Sequence, residues 1–454
     1  MSKERHNGTG FSLETTVPTP EGWKTVGQLQ ASDSVYTADG GIAPIVFTET
    51  CEAPVFDLTF TAARALTVGF GQLWPASNRA DRDRVRHSTR KNTGVRVRKL
   101  QAQVDELRRL LNKKQQEITM PELTESGVFS KSFWYDFSSK RSGREYLLRR
   151  EPVPGMKGLI GVFDAKSLLG DALEDVSRKL ANNQPKTSPY HIYDSRTMAG
   201  EITTRGVNAY KNWALPAVEP LKGFRIELPL EPYMLGLWLA DGSKECGSVT
   251  LGSEDRDTLL SILAGYGIKH HTLSKIPGEE AWHTTFEIGD GTPVQTLLRR
   301  LGALNNKHIP TEYLRASCDA RLRLLQGLMD GDGTINDQHK TELCFTREQL
   351  ANDAAELLRT LGILVSVRAS EAAYTVDGER KVTGTRYRMA FTTELPVFSL
   401  PRKAEKLPES VQERYKRHYL DSAEPAGVQP VKSIYLGEQK QFLVGDFIPT
   451  LSAD

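Results

Sequence analysis

A mixed α/β chain of several domains, with a pseudo-twofold module at its centre, is the fold class this sequence predicts. Three observations lead there. A helix–strand–helix unit occurs twice between about Leu221 and Leu407, β-type runs stand at both ends of the chain, and a basic stretch with helical periodicity follows the first of them. The chain has 454 residues, more than one compact domain usually holds; 39% are hydrophobic and 26% charged, which excludes a mainly disordered chain and a disulfide-dense scaffold. No stretch approaches the ~20 apolar residues of a membrane helix, and the polar opening MSKERHNGTG has no apolar h-region. Cys51, Cys246, Cys318 and Cys344 are scattered without metal-ligand spacing and read as reduced thiols of a cytoplasmic protein.

The β flanks come first and last. Thr15–Thr19, Ser34–Thr37 and Val55–Phe60 are β-type runs broken by Pro18, Pro20, Gly22 and the Asp39-Gly40-Gly41 turn. Residues 429–450 have the same texture, so one β domain (10–78 and 426–454) is expected to be interrupted by insertions. Next comes a basic insertion, 79–220. Between Arg79 and Lys114 thirteen Lys or Arg face four acids, a stripe that either meets phosphate or is only a solvated basic face. Val97, Leu100, Val104, Leu107 and Leu111 form one apolar seam, which predicts a helix near 95–118 packed on its own domain. Arg96, Arg98, Lys99, Arg108 and Arg109 are its candidate DNA contacts. The fold of 119–210 does not follow from local pattern.

The repeat occupies 221–425, with copies at 221–306 and 307–410. Each opens with an apolar helix ending in Asp-Gly: Tyr233–Gly242, which contains LGLWLADG (235–242), and Leu322–Gly333, which contains LQGLMDGDG (325–333). Each continues with a strand, a helix ending at Gly-Ile, and an aromatic-rich strand, HTTFEI or YRMAFT. Pro293-Val294 and Pro396-Val397 then open short helices. Small residues lie four apart within each first helix, Gly236 with Ala240 and Gly327 with Gly331. That spacing puts them on one face, where two helices can approach closely. Asp241 and Asp332 follow directly, so packing the small faces together brings both carboxylates out side by side.

Carboxylates there are electrostatically awkward, because a helix C-terminus is already partly negative and like charges repel. A divalent cation resolves both problems, and paired carboxylates with a hard metal suit phosphodiester hydrolysis. One Asp-Gly after a helix is ordinarily only a turn; two, each behind a small-residue face in a repeated unit, point to a site.

These residues resemble a single-chain LAGLIDADG homing endonuclease, and KHIPTEYLRASCDARLRLLQGLMDGDG (307–333) is similar to the second-motif region of intein-encoded members. The resemblance implies site-specific double-strand DNA cleavage, with DNA on a β-saddle. It implies Mg²⁺, with Mn²⁺ as a substitute, held by Asp241 and Asp332 with Ala240 and Gly331. Lys307 and Lys403 become the basic residues that assist water and transition-state charge. It further implies a monomer acting on a long asymmetric duplex site cut to leave 3′ overhangs, and no membrane partner.

The flanks resemble the terminal blocks of an intein, the self-splicing Hint fold, of the phage terminase type: residues 11–40 and GQLWPAS (71–77) at the start, PVKSIYL (430–436) and FLVGDFIPTLS (442–452) at the end. Splicing needs a nucleophile first, a histidine in the second block and a terminal His-Asn pair. This chain has Gly10, Gln72 and Leu451-Ser452 at those places, with Ala453 next. Its own opening methionine and its end just past Ser452 predict a free-standing endonuclease of a bacteriophage or other mobile element. The competing reading, a retired nuclease that only binds DNA, has no need of both aspartates.

Overall fold

The computed structural model describes residues 8–88, 91–113, 116–140, 146–152, 159–183, 188–204, 209–376, 379–438 and 441–453. The chain divides into two compact units, one of residues 1–77 with 190–454 and one of residues 78–189. None of the described helices is long and apolar enough to cross a membrane.

In the larger unit, the first and last parts of the sequence build one β frame. Four strands close a barrel in the order Phe11–Ser12, Leu420–Tyr435, Phe47–Phe60, Leu66–Gly69. Phe47–Phe60 and Leu420–Tyr435 run antiparallel along nearly their whole length, with Cys51 opposite Val431 and Phe60 opposite Leu420. Closure removes the exposed sheet edges that would otherwise invite pairing with other chains. Phe11, Leu58, Trp74, Phe442 and Ile448 are among the buried side chains inside it. The frame therefore starts at Leu420, six residues before the expected 426, because the returning strand begins pairing there.

The smaller unit corrects the expected insertion, which ends at 189 and not at 220. Residues 190–220 belong to the frame. His191–Asp194 pairs antiparallel with Leu73–Ala76, and Ala214 bridges both Ser77 and Tyr419. Within the smaller unit the basic helix spans Lys91–Asn112. Leu100, Val104, Leu107 and Leu110 are buried in a core shared with Leu168, Leu169, Ala172 and Val176 of the helix Ala165–Asn183. The apolar seam thus packs on its own domain, as its short length predicts. The helix stops before 118 because Ile118 leaves the helical stripe for a strand, Glu117–Thr119, paired with Val162–Asp164. Strands 117–119, 147–152 and 159–164 make the three-stranded sheet that local pattern did not reveal.

The two repeats share one core. The first motif helix, Pro232–Asp241, is apolar all round and buried from Pro232 through Leu239, the signature of an element enclosed on every side. The second, Cys318–Gly331, begins one turn earlier than expected, where Ser317 caps it by accepting from the Ala320 N–H. A sheet of strands 249–252, 281–287 and 269–275 follows the first helix; strands 334–335, 341–345, 379–391 and 366–376 form the sheet after the second. The short helix of the first copy is Val294–Arg300, but in the second it starts at Pro401 rather than Pro396. There the buried Asp330 carboxylate accepts from the Ser399 and Leu400 N–H groups and keeps the chain extended up to Leu400.

The motif helices touch backbone to backbone. A Cβ on Gly236 would lie 2.1 Å from the Leu324 carbonyl oxygen, and one on Gly327 would lie 2.1 Å from that of Tyr233. Neither oxygen belongs to a flexible side chain, so nothing can yield locally. Gly236→Ala and Gly327→Ala should each destabilise the protein by about 3 kcal/mol, the upper part of the usual overpacking range. Urea titration of each variant measures this; wild-type midpoints would mean that the helices can part without loss.

Candidate nuclease site

The close approach continues to the ends of the two helices. A Cβ on Gly331 would meet the Ala240 Cβ at 2.5 Å and Asp241 Oδ2 at 2.9 Å. Asp241 ends the first helix and Asp332 is the residue after the second, so the packed small faces deliver both carboxylates to one place. Both keep accessible surface, although each is surrounded by a dense shell of protein atoms. The Asp241 carboxyl is pushed up to about 6, first by burial and then by the negative charge of Asp332. Burial also raises Asp332, against the pull of Lys307 and Lys403.

Each lysine caps one helix. Lys307 Nζ donates to the carbonyls of Leu239 at 2.9 Å and Ala240 at 3.2 Å, and lies 5.2 Å from the Trp238 ring centre. Lys403 Nζ donates to the carbonyls of Met329, Asp330 and Gly333 at 3.1, 2.8 and 2.8 Å. The carbonyls of Leu239, Ala240 and Asp330 are among those a helix C-terminus leaves without partners, and the cation complements the helix dipole. An ammonium has three donors: Lys403 uses all three, while Lys307 uses two. Burial lowers Lys307 to about 8, against the opposing effects of Asp332 and Asp241. The structure therefore gives Lys403 a holding role and leaves Lys307 one N–H to offer.

Asp330 is a site residue that sequence reasoning missed. It is buried, accepts the Tyr233 hydroxyl at 2.7 Å, and anchors the N-terminus of the helix that carries Lys403. The signal was the extra acid in MDGDG, where the first copy has Leu239.

Among the described residues no three His, Cys, Asp or Glu side chains come together to hold a metal. The donor set is instead two accessible carboxylates with helix-end carbonyls, which suits a hard divalent cation that keeps several waters. Gly331 abuts the pair directly, and Ala240 offers a carbonyl shared with Lys307.

The positions implied for splicing also meet. Gln72 is buried; its Oε1 accepts the Gly10 N–H at 3.0 Å and its Nε2 donates to Leu451 O at 2.9 Å and Thr450 Oγ1 at 2.8 Å. Ser452 Oγ accepts from the Leu436 N–H at 3.0 Å. Gly10 has φ +122°, and a Cβ there would lie 2.7 Å from the Lys432 carbonyl carbon. Hydrogen bonds satisfy this site, and the Gly10 position offers neither a sulfur nor a hydroxyl nor room for a Cβ.

Of the basic candidates, Arg96, Arg98, Lys99 and Arg108 are exposed on the helix of the smaller unit. Arg109 is also exposed, but its guanidinium is engaged by both oxygens of Glu106 at 2.7 Å.

Comparison with known proteins gives a partial match. Residues 319–395 match the family model described as a LAGLIDADG-like domain. Over 178 residues the chain is 34% identical to the replicative DNA helicase DnaB of Mycobacterium intracellulare; this covers 39% of the chain and 26% of that relative, so the chain spans about a quarter of its length. The solved MchDnaB-1 intein is 28% identical over 15% of this chain and 53% of its own, with a TM-score of 0.15. An I-DmoI variant solved in complex with its target DNA and in the presence of Mn is 13% identical over 39% of this chain and 90% of its own, with a TM-score of 0.24.

The raised carboxyls have a testable consequence for the metal-free protein. Asp241 has a folded-state value near 6, above its ordinary 3.8, so the folded state binds a proton more readily than the unfolded chain. This pair therefore costs stability as pH rises through about 4 to 6. Asp332→Asn removes the repulsion and should stabilise the protein in chelator at pH 7 by about 1 kcal/mol, a value discounted for solvent screening. The gain should vanish near pH 4. His418, buried and held down to about 4, works in the opposite sense in the same window. The difference between variant and wild-type melting curves therefore carries the result, and identical curves at pH 7 would mean the carboxylates do not interact.

Proposed function

We propose that the chain is a site-specific double-strand DNA endonuclease of intein descent that no longer splices. The observation that carries this reading is the pair of accessible, mutually repelling carboxylates at the joined ends of the motif helices. A binding-only protein would be relieved of that repulsion by a single substitution. Asp241 and Asp332, with the helix-end carbonyls of Ala240 and Gly331, would hold Mg²⁺, or Mn²⁺ in its place. When bound, the cation would lower the pKa of water and stabilise the leaving oxygen. The chain's residues provide the rest. The carboxylates fix where the cation would be held, Lys307 directs its remaining N–H toward developing negative charge, and Lys403 holds the second helix end in register. Duplex DNA would lie across the outward faces of the two sheets, and one chain carrying both motifs suffices as a monomer on an asymmetric site.

Asp241→Asn and Asp332→Asn should each lower the rate of double-strand cleavage by two orders of magnitude or more, the size of loss seen when a charge-stabilising group is removed from an active site. DNA binding in Ca²⁺ should be retained. Full-rate cutting by either variant, assayed on a genomic DNA pool with Mg²⁺, would take that residue out of the site.

Placed between two reporter segments, the chain should give neither ligated product nor junction cleavage, because Gly10 offers no sulfur or hydroxyl and Ser452 cannot cyclise as asparagine does. Detection of a spliced reporter by mass spectrometry would contradict the loss of splicing.

The smaller unit is proposed to add phosphate contacts. Changing Arg96, Arg98 and Lys99 to alanine together should weaken binding and flatten its salt dependence by about one logarithmic unit per lost contact. An unchanged slope across a salt series would remove this helix from the DNA interface.

A further inference from the structure

The two repeats present unlike chemistry on the outward faces of their sheets. In the first sheet the register sets Thr250, His283 and Ser274 in one row across three strands. In the second it sets Cys344, Arg388 and Arg368 in one row. The rows correspond. Val249 pairs with Thr284 as Leu343 pairs with Met389, and all four are buried, so the next residue along each of these strands faces outward. One further row out, Arg386 faces the same way, and its Nε donates to Ser370 Oγ at 3.2 Å. The second sheet is thus arginine-rich where the first carries hydroxyls and an imidazole.

Like charges directly opposite each other on neighbouring strands are unfavourable. Acidic relief is sparse here. Glu342 lies 3.6 Å from Arg388 but is shared with Lys340 at 2.8 Å, and Arg368 forms no ion pair among the described residues. Two exposed arginines held opposite each other on neighbouring strands, with one shared carboxylate between them, form a donor surface with capacity to spare.

We propose that Arg368 and Arg388 read guanine in the half of the DNA site covered by the second repeat, while Thr250, His283 and Ser274 read the other half with hydroxyls and an imidazole. This rests on the DNA-cleavage reading above and adds the base identity. A guanidinium fork donates to guanine O6 and N7 together in the major groove, a match that no other base edge offers. A lysine keeps the charge but not the fork. The resulting site is asymmetric in composition, with a guanine requirement in one half only.

The test is selection of duplexes from a randomised library by the full chain in Ca²⁺. Wild-type protein should enrich guanine at a fixed position in one half-site. The double variant Arg368→Ala, Arg388→Ala should lose that enrichment and bind the selected duplex about 10- to 100-fold more weakly. His283→Ala should leave that half-site untouched. Arg388→Lys should keep the salt dependence while losing guanine preference, which separates base reading from phosphate attraction. Both arginines are exposed, so folding should survive, and melting curves check it. Cys344 gives a second readout, since the bound duplex should slow its alkylation. Unchanged guanine enrichment in the double variant overturns this proposal and leaves the cleavage reading standing. A wild-type chain that selects no duplex at all defeats both.

Discussion

The whole arrangement depends on one contact, the meeting of two helices with no side chains between them. Gly236 and Gly327 each present bare backbone to a carbonyl oxygen of the opposite helix. At that separation the helix ends cannot diverge before Asp241 and Asp332 are reached, and the carboxylates are forced together against their own repulsion. The rest of the repeat acts to keep this contact. The apolar first helix is enclosed by the common core, and each helix end is tied down by a lysine, Lys307 at the first and Lys403 at the second. Such a site stores unfavourable electrostatics, which on the reading proposed above a divalent cation would relieve.

The β frame is joined to the second repeat by buried charge rather than by a flexible tether. Arg315 pairs with Glu356 at 2.5 Å and donates to the Thr19 carbonyl, while the indole of Trp23 donates to the same Glu356. Asp446 accepts from the Arg64 backbone N–H and pairs with Arg359 at 3.1 Å. Burial alone would raise the Asp446 carboxyl, yet these arginines hold it below the ordinary carboxylate range. Removing one partner from such a pair leaves an uncompensated buried charge and is strongly destabilising. Gln72 has a similar place within the frame: its amide joins Gly10 to Leu451, from opposite ends of the sequence. On the reading proposed above, a site for making and breaking peptide bonds has become a staple.

Much of the candidate site was legible because it rests on local pattern. Small residues four apart, followed by an aspartate, specify a helix face and what emerges at its end. The repeat made that pattern informative, and the β texture of the two flanks pointed to one β domain interrupted by insertions. What escaped depends on distant partners. His191–Asp194 is a four-residue strand whose partner, Leu73–Ala76, lies more than a hundred residues earlier, so nothing nearby marks the end of the insertion. Asp330 reads as one more polar residue near a turn until Tyr233 and the backbone of Ser399 and Leu400 are brought to it. Arg109 counts toward the basic stripe, yet Glu106 one turn earlier holds it. A charge run read by composition overstates what is free to meet phosphate.

The central claim is that two helix-end carboxylates, one from each repeat, cut two DNA strands at a defined place. Sequencing the ends produced when the full chain and Mg²⁺ are incubated with a random duplex library tests it most directly. The account predicts ends that converge on one long sequence, with the two strands broken at a constant offset. A library left intact, or broken at unrelated positions on single strands, would contradict it.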